Sequence, residues 1–220
     1  MFRPAICCLF GIVALAGIGM PPAALAVDAA AIAHAGNGRG AAPCMACHGA
    51  DGAGQAAAGN PRLAGLDAAY LQKQLDDFAS GARSNPVMQP TATALSEDER
   101  RAMAAYFSQL PLPAKPATAL PAPDSAGAVL ATRGDWSRGV PGCVQCHGPG
   151  GSGVGANFPP LAGQPASYIE AQLKAWQQGT RHNDPLQLMQ HLSAALSAQD
   201  IESVAAWFAA QPVPAAESRP

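Results

Sequence analysis

Two short segments constrain this chain more than anything else in it. Cys44-Met45-Ala46-Cys47-His48-Gly49 and Cys143-Val144-Gln145-Cys146-His147-Gly148 carry one pattern, C-x-x-C-H-G, at an offset of 99 residues. Self-similarity at a fixed offset marks a repeated structural unit. The match runs on beyond the cysteines. Pro61-x-Leu63-Ala64-Gly65 recurs as Pro159-x-Leu161-Ala162-Gly163. Tyr70, Gln74, Leu75, Gly81, Arg83 and Asn85 recur as Tyr168, Gln172, Leu173, Gly179, Arg181 and Asn183. Met88 recurs as Met189, each followed by Leu-Ser seven residues on, and Met103–Phe107 corresponds to Val204–Phe208. One unit has been duplicated.

The repeat divides the chain. Residues 27–110 and 124–220 read as the two domains, and residues 111–123, with five prolines, as an extended, semi-rigid linker. Residues 1–26 read as a secretory signal. Arg3 supplies the positive start, Ile6 to Met20 the apolar stretch, and Ala24-Leu25-Ala26 the cleavage site. That stretch is shorter than the ~20 residues a spanning helix needs, and Pro21-Pro22 ends it. The expectation is an exported, periplasmic protein with no membrane span after cleavage. A peripheral membrane association is left open.

Within each unit the pattern is helical and sparse. Ala68–Ala79 and Ala166–Gln178 place apolar residues at helical spacing and run into Gly81 and Gly179. Asp28–Ala35 reads as a short N-terminal helix. Ser96-Glu-Asp-Glu99 is a capping box, and Ser197-Ala-Gln-Asp200 is its weaker equivalent. No strand pattern is evident. The loops Gly49–Pro61 and Gly148–Pro160 are too long for so small a domain unless something organises them.

C-x-x-C-H is the attachment signature of a c-type haem. Two thiols bond the haem vinyl groups, and the adjacent histidine is held under the iron. Cys44, Cys47, Cys143 and Cys146 are therefore read as covalent haem attachments, and His48 and His147 as axial ligands. Two c-type haems are expected. Other uses of the pattern fit less well. A thioredoxin-like motif sits between a strand and a helix. A zinc site needs further nearby ligands, and His34, His182 and His191 do not repeat. Disulfides leave the two repeated histidines unexplained.

The second axial ligand follows by elimination. Met189 is the second unit's one methionine. In the first unit, Met45 lies between the haem cysteines and Met103 falls in the C-terminal helix, which leaves Met88. The plainer alternative is that both methionines are packing residues. Pro61 and Pro159 are placed to offer a carbonyl to the histidine ring. Tyr70, Tyr168, Phe78, Trp176, Phe107 and Phe208 are read as haem walls. Trp136 has no counterpart in the first unit and receives no role.

These residues together carry a resemblance. C-x-x-C-H-G, P-x-L-x-G, the Tyr-x-x-x-Gln-Leu helix, the Arg-x-Asn stretch before Met and the aromatic C-terminal helix resemble a class I cytochrome c domain. Two in tandem after a signal resemble the cytochrome c4 family of dihaem cytochromes. The resemblance implies an all-α fold of two class I cytochrome c domains related by pseudo-twofold symmetry, with haem propionate edges facing across the interface. It also implies respiratory electron transfer towards a terminal haem-copper oxidase. The first domain departs from the pattern in a shorter loop before Met88.

With both axial positions filled by protein, neither iron offers a place for substrate, so the expected activity is outer-sphere one-electron transfer and not catalysis. The expected partners are redox proteins: a quinol-oxidising complex or dehydrogenase upstream and a terminal oxidase downstream. Two alternatives stay open. One is the cytochrome subunit of a dehydrogenase, such as a flavocytochrome oxidising sulfide. The other is a dihaem enzyme, a peroxidase or a thiosulfate-oxidising cytochrome. A formal charge of −2 argues against nucleic acid as a partner. Composition fits a cofactor-centred core: 23 glycines and 21 prolines, but only 5% aromatic residues. A haem supplies in each domain the large ring system that the chain does not encode.

Overall fold

The computed structural model describes residues 27–113 and 119–213. The expected signal, residues 1–26, lies outside the described residues, as does the middle of the expected linker. In the first domain the helices are α1 (Ala29–Ala35), α2 (Cys44–His48), α3 (Ala68–Ser80), α4 (Met88–Thr93) and α5 (Glu97–Gln109). In the second they are α6 (Ala126–Thr132), α7 (Val144–His147), α8 (Ala166–Gln177), α9 (Leu188–Ala194) and α10 (Ala198–Ala210). The fold is two helical domains of one design.

Local chemistry sets the helix starts. Asp28 accepts from the Ala31 amide and Asp67 from the Tyr70 amide, so α1 and α3 begin where a carboxylate satisfies a free N–H. Ser96 and Glu99 form a full reciprocal capping box on α5, and Ser197 and Asp200 form the same box on α10. α3 ends at Gly81 in the left-handed conformation.

Each domain has its own apolar cluster. Ile32, Leu71, Leu95, Met103 and Phe107 form the first, where α1 and α3 pack on α5. Leu130, Val140, Ile169, Leu173, Ile201, Val204 and Phe208 form the second, where α6 and α8 pack on α10. The expected N-terminal helix thus has a definite seat against α5.

The long loops after the histidines are organised by their own backbone. Gly54 N–H donates to the His48 carbonyl at 2.8 Å, and Gly153 N–H to the His147 carbonyl at 2.7 Å. The Gly52 carbonyl then accepts from Leu63 and Ala64, and the Gly151 carbonyl from Leu161 and Ala162. Gly54 has φ +84, and a Cβ on it would stand 2.6 Å from the Arg62 nitrogen, so only glycine lets the loop fold back there.

One expectation is corrected. A two-stranded antiparallel hairpin, β1 (Gly134–Asp135) and β2 (Val140–Pro141), precedes the second cysteine pair. Each strand is two residues long, too short to show an alternating pattern. Trp136 sits in the hairpin's connection and is 67% exposed.

The domains meet across a short antiparallel bridge. Arg83 lies opposite its repeat equivalent Arg181. Ser84 N–H donates to the Thr180 carbonyl at 2.8 Å and His182 N–H to the Ala82 carbonyl at 3.0 Å. Equivalent residues facing each other place this bridge on the pseudo-twofold axis. A second contact is asymmetric: Gln164 accepts from the Arg62 amide and donates to the Arg62 carbonyl, both at 3.0 Å.

Candidate functional site

Both C-x-x-C-H segments fold as a single helical turn. In α2, Cys44, Cys47 and His48 fall at i, i+3 and i+4, which brings them to one face. In the second domain Cys143 is the N-cap of α7, which ends at His147. None of the four cysteines is joined in a disulfide. Burial pushes the Cys143 thiol up to about 11 and raises Cys44 as well, as apolar surroundings do.

His48 and His147 are buried. His48 Nδ1 lies 2.9 Å from the Pro61 carbonyl oxygen, and His147 Nδ1 lies 2.9 Å from that of Pro159. A carbonyl only accepts, so Nδ1 carries the proton and Nε2 keeps its lone pair. Burial lowers both imidazoles below the ordinary histidine value, although each carbonyl pulls the other way. A neutral imidazole with a free Nε2 is the form that ligates a metal.

The second domain holds a cleft of about 410 Å³. Cys143, Cys146, His147 and Met189 all line it. Leu130, Ile169, Leu173, Val204 and Phe208 supply apolar walls. Its polar end is at the domain interface, where Tyr70 and Gln74 of the first domain join Tyr168, Gln172 and Arg181 of the second. The Trp176 indole N–H, also in the wall, is buried with no acceptor. A large flat apolar group with acceptor substituents on one edge fits this cleft, and haem is such a group.

The methionines are held alike. Met88 opens α4 and donates its amide to Asn85 Oδ1 at 2.8 Å. Met189 donates its amide to Asp184 Oδ2 at 2.7 Å. Both are half-buried. The second loop is longer, and Gln187 in it has φ 53, the one positive φ outside glycine among the described residues. Met103 and Met45 belong to the first domain's apolar cluster. Among the described residues no group of three or more His, Cys, Asp and Glu side chains gathers for a metal ion.

The residues read from the sequence as haem walls divide. Phe208 and Trp176 line the second cleft, while Phe107 packs in the first domain's cluster. Tyr70 and Tyr168 line the second cleft and also belong to the interface. Sequence reasoning missed that interface network. Arg83 donates to Gln74 Oε1 at 3.0 Å, to the Tyr168 hydroxyl at 2.9 Å and to Gln172 Oε1 at 2.6 Å. Arg181 donates to Gln172 Oε1 at 3.0 Å, to Gln74 Oε1 at 3.1 Å and to Asn183 Oδ1 at 3.0 Å. Burial pushes the Tyr168 hydroxyl up, but Arg83 and Arg181 together draw it below the ordinary tyrosine value. The signal was in the repeat, since Gln74, Arg83 and their equivalents recur. A repeat does not say which copies touch.

Comparison with known proteins decides the family. The family model described as cytochrome c matches residues 35–111 and again 127–211. This chain belongs to the cytochrome c family, as a dihaem protein of the cytochrome c4 type. It is 39% identical to cytochrome c4 of Pseudomonas aeruginosa over 172 residues, 76% of this chain and 83% of that protein. It is 58% identical to the "Thiosulfate dehydrogenase electron acceptor" of Stutzerimonas stutzeri over 167 residues, 76% of this chain and 77% of that protein. Among solved structures it resembles the thiosulfate dehydrogenase TsdBA of Marichromatium purpuratum, with a TM-score of 0.76 and 43% identity. That match covers 87% of this chain but 44% of the solved chain, so this cytochrome spans under half of it. Two cytochrome c domains carry two covalent c-type haems, and the protein is an electron carrier, not a catalyst. Among the described residues no helix is long and apolar enough to cross a membrane.

Proposed function

We propose that this dihaem cytochrome works in the periplasm as the electron acceptor of a thiosulfate-oxidising dehydrogenase and passes the electrons towards a terminal oxidase. The observation that carries this reading is a difference in likeness. Identity is 58% to a protein named as such an acceptor and 39% to a cytochrome c4. The chemistry agrees in number. Joining two thiosulfate ions through a new S–S bond releases two electrons, and the chain has two haem domains to receive them.

The residues have distinct tasks. Cys44 and Cys47, and Cys143 and Cys146, would hold the haems covalently. His48 and His147 would ligate through Nε2, each ring fixed by the Pro61 or Pro159 carbonyl. Met88 and Met189 would close the sixth position, each carried by a backbone amide anchored on Asn85 or Asp184. The haem iron supplies a reversible one-electron Fe(III)/Fe(II) couple, whose potential a His/Met pair raises. The apolar walls exclude water, so little reorganisation accompanies each transfer.

The test is to mix the oxidised cytochrome with a thiosulfate dehydrogenase and thiosulfate and follow the haem absorbance. Rapid reduction of both haems is expected. Reduction by a quinol-oxidising complex but not by the dehydrogenase would make this a general respiratory carrier instead.

A further inference from the structure

One chain of hydrogen bonds crosses from the second domain to the C-x-x-C-H histidine of the first. The Pro61 carbonyl, 2.9 Å from His48 Nδ1, belongs to the same peptide unit as the Arg62 N–H. That N–H donates to Gln164 Oε1 at 3.0 Å, and Gln164 Nε2 donates back to the Arg62 carbonyl at 3.0 Å. An N–H only donates and a carbonyl only accepts, so this pairing fixes which way the Gln164 amide points. Arg62 is 2% and Gln164 3% exposed, so water does not compete for these bonds. The Arg62 guanidinium ties the same two turns together, donating to the Ala64 and Ala162 carbonyls at 2.6 and 3.3 Å. The Gln164 backbone is itself held, its N–H donating to the Leu161 carbonyl at 3.1 Å.

The repeat does not return this contact. The two P-x-L-x-G turns correspond residue by residue, which puts Pro160 at the place of Arg62 and Leu66 at the place of Gln164. Pro160 has no N–H to donate, and Leu66 has no amide that could accept one. The Pro159 carbonyl therefore meets His147 Nδ1, also at 2.9 Å, with no donor behind it in its own peptide unit.

We propose that Gln164 is a positioning residue for His48: it strengthens the histidine's hydrogen bond across the domain boundary and so lowers the reduction potential of the first haem. The inference rests on the reading of His48 as an axial ligand through Nε2. A peptide whose N–H donates is polarised, and its carbonyl becomes a stronger acceptor. A stronger acceptor draws the Nδ1 proton from the ring and makes Nε2 a better donor to a metal. Electron donation to the iron favours the ferric over the ferrous form. Two haems held by the same motif thus receive ligands of different strength, through one side chain that the second domain lends to the first.

The experiment is nuclear magnetic resonance of the reduced holoprotein together with a redox titration, on the wild type, Gln164→Met and Gln164→Glu. In the wild type the His48 Nδ1 proton should lie downfield of that of His147, which serves as the internal reference. Methionine fills the space of glutamine but is a weak acceptor, so Gln164→Met should bring the His48 signal back towards that of His147. The ferric-to-ferrous ratio of the first haem should then fall about threefold at fixed potential, the scale of a hydrogen bond weakened by about 10–30%. Gln164→Glu keeps an acceptor for the Arg62 N–H and should hold the His48 proton at or downfield of its wild-type position. If Gln164→Met leaves the His48 proton in place, or if both variants move it alike, Gln164 only joins the domains and the proposal is wrong. Gln164 also lines the second cleft, so a potential shift confined to the second haem counts against the proposal as well. Should Gln164→Met fail to assemble, the other two proteins decide: one position for the His48 and His147 protons in the wild type, or an upfield move in Gln164→Glu, overturns it. Failure of the ligand reading is separately visible, because the haem ring current shifts the carbon-bound protons of an iron-bound His48 ring far upfield and leaves those of an unbound ring in place.

Discussion

Gly127 lies so close to Ser203 that a Cβ built on it would stand 2.1 Å from the Ser203 carbonyl oxygen. The contact joins α6 to α10, the N- and C-terminal helices of the second domain. It is backbone on backbone, so no side chain can swing aside. Gly127→Ala should therefore push the helices apart and cost about 1–3 kcal/mol, the usual range for overpacking. A thermal melt followed by helical circular dichroism should show a lower Tm, with loss beginning in the second domain.

A salt-bridge clasp repeats in both domains. Arg39 pairs with Glu99 at 2.6 Å, and Arg138 pairs with Asp200 at 2.7 Å. Each acid also caps its helix through the preceding serine. The hydrogen bond from Arg138 leads the effects that bring the Asp200 carboxyl down to about 2. The native state then binds fewer protons than the unfolded chain between about 2 and the ordinary aspartate value. Stability from this group is full above that window and lost as pH falls through it. Arg138→Ala should lower Tm at neutral pH, and the gap to wild type should close as pH approaches about 2.

Met189→Ala should open the second iron and lower its potential, since a His/Met pair holds the potential up. The first haem should stay near its wild-type value. Spectroscopy should show an added external ligand, such as imidazole, entering one haem of the two. Met88→Ala should give the mirror result. If neither variant changes a potential or admits a ligand, the methionines are packing residues.

Haem removal should unfold its domain. Cys143→Ser with Cys146→Ser leaves a cleft of about 410 Å³ without its filling. The apolar walls, Leu130, Ile169, Leu173, Val204 and Phe208 among them, then lose the group they pack on and face water. The variant should keep the first haem and lose the second domain's cooperative melting transition.

Much of the architecture was legible because the chain is written twice. The repeated C-x-x-C-H, the two methionines and the helices at Ala68 and Ala166 stand at matching offsets. The Ser96 and Ser197 capping boxes were readable from local chemistry alone. What escaped is long-range or too short to leave a pattern. The Gly134–Pro141 hairpin has strands of two residues, below any periodicity. The Arg138–Asp200 clasp joins residues far apart in the chain, so neither announces the other. Arg83 and Arg181 were visible as equivalents. That they meet across the interface is a property of how two copies dock.

The most direct test of the whole account is an electron count with a spin state. A reductive titration of the oxidised holoprotein, followed by haem absorbance and paramagnetic resonance, should take up two electrons per chain with both haems low-spin throughout. Uptake of a single electron, or a high-spin haem in the resting protein, would contradict two closed His/Met sites and the carrier function built on them.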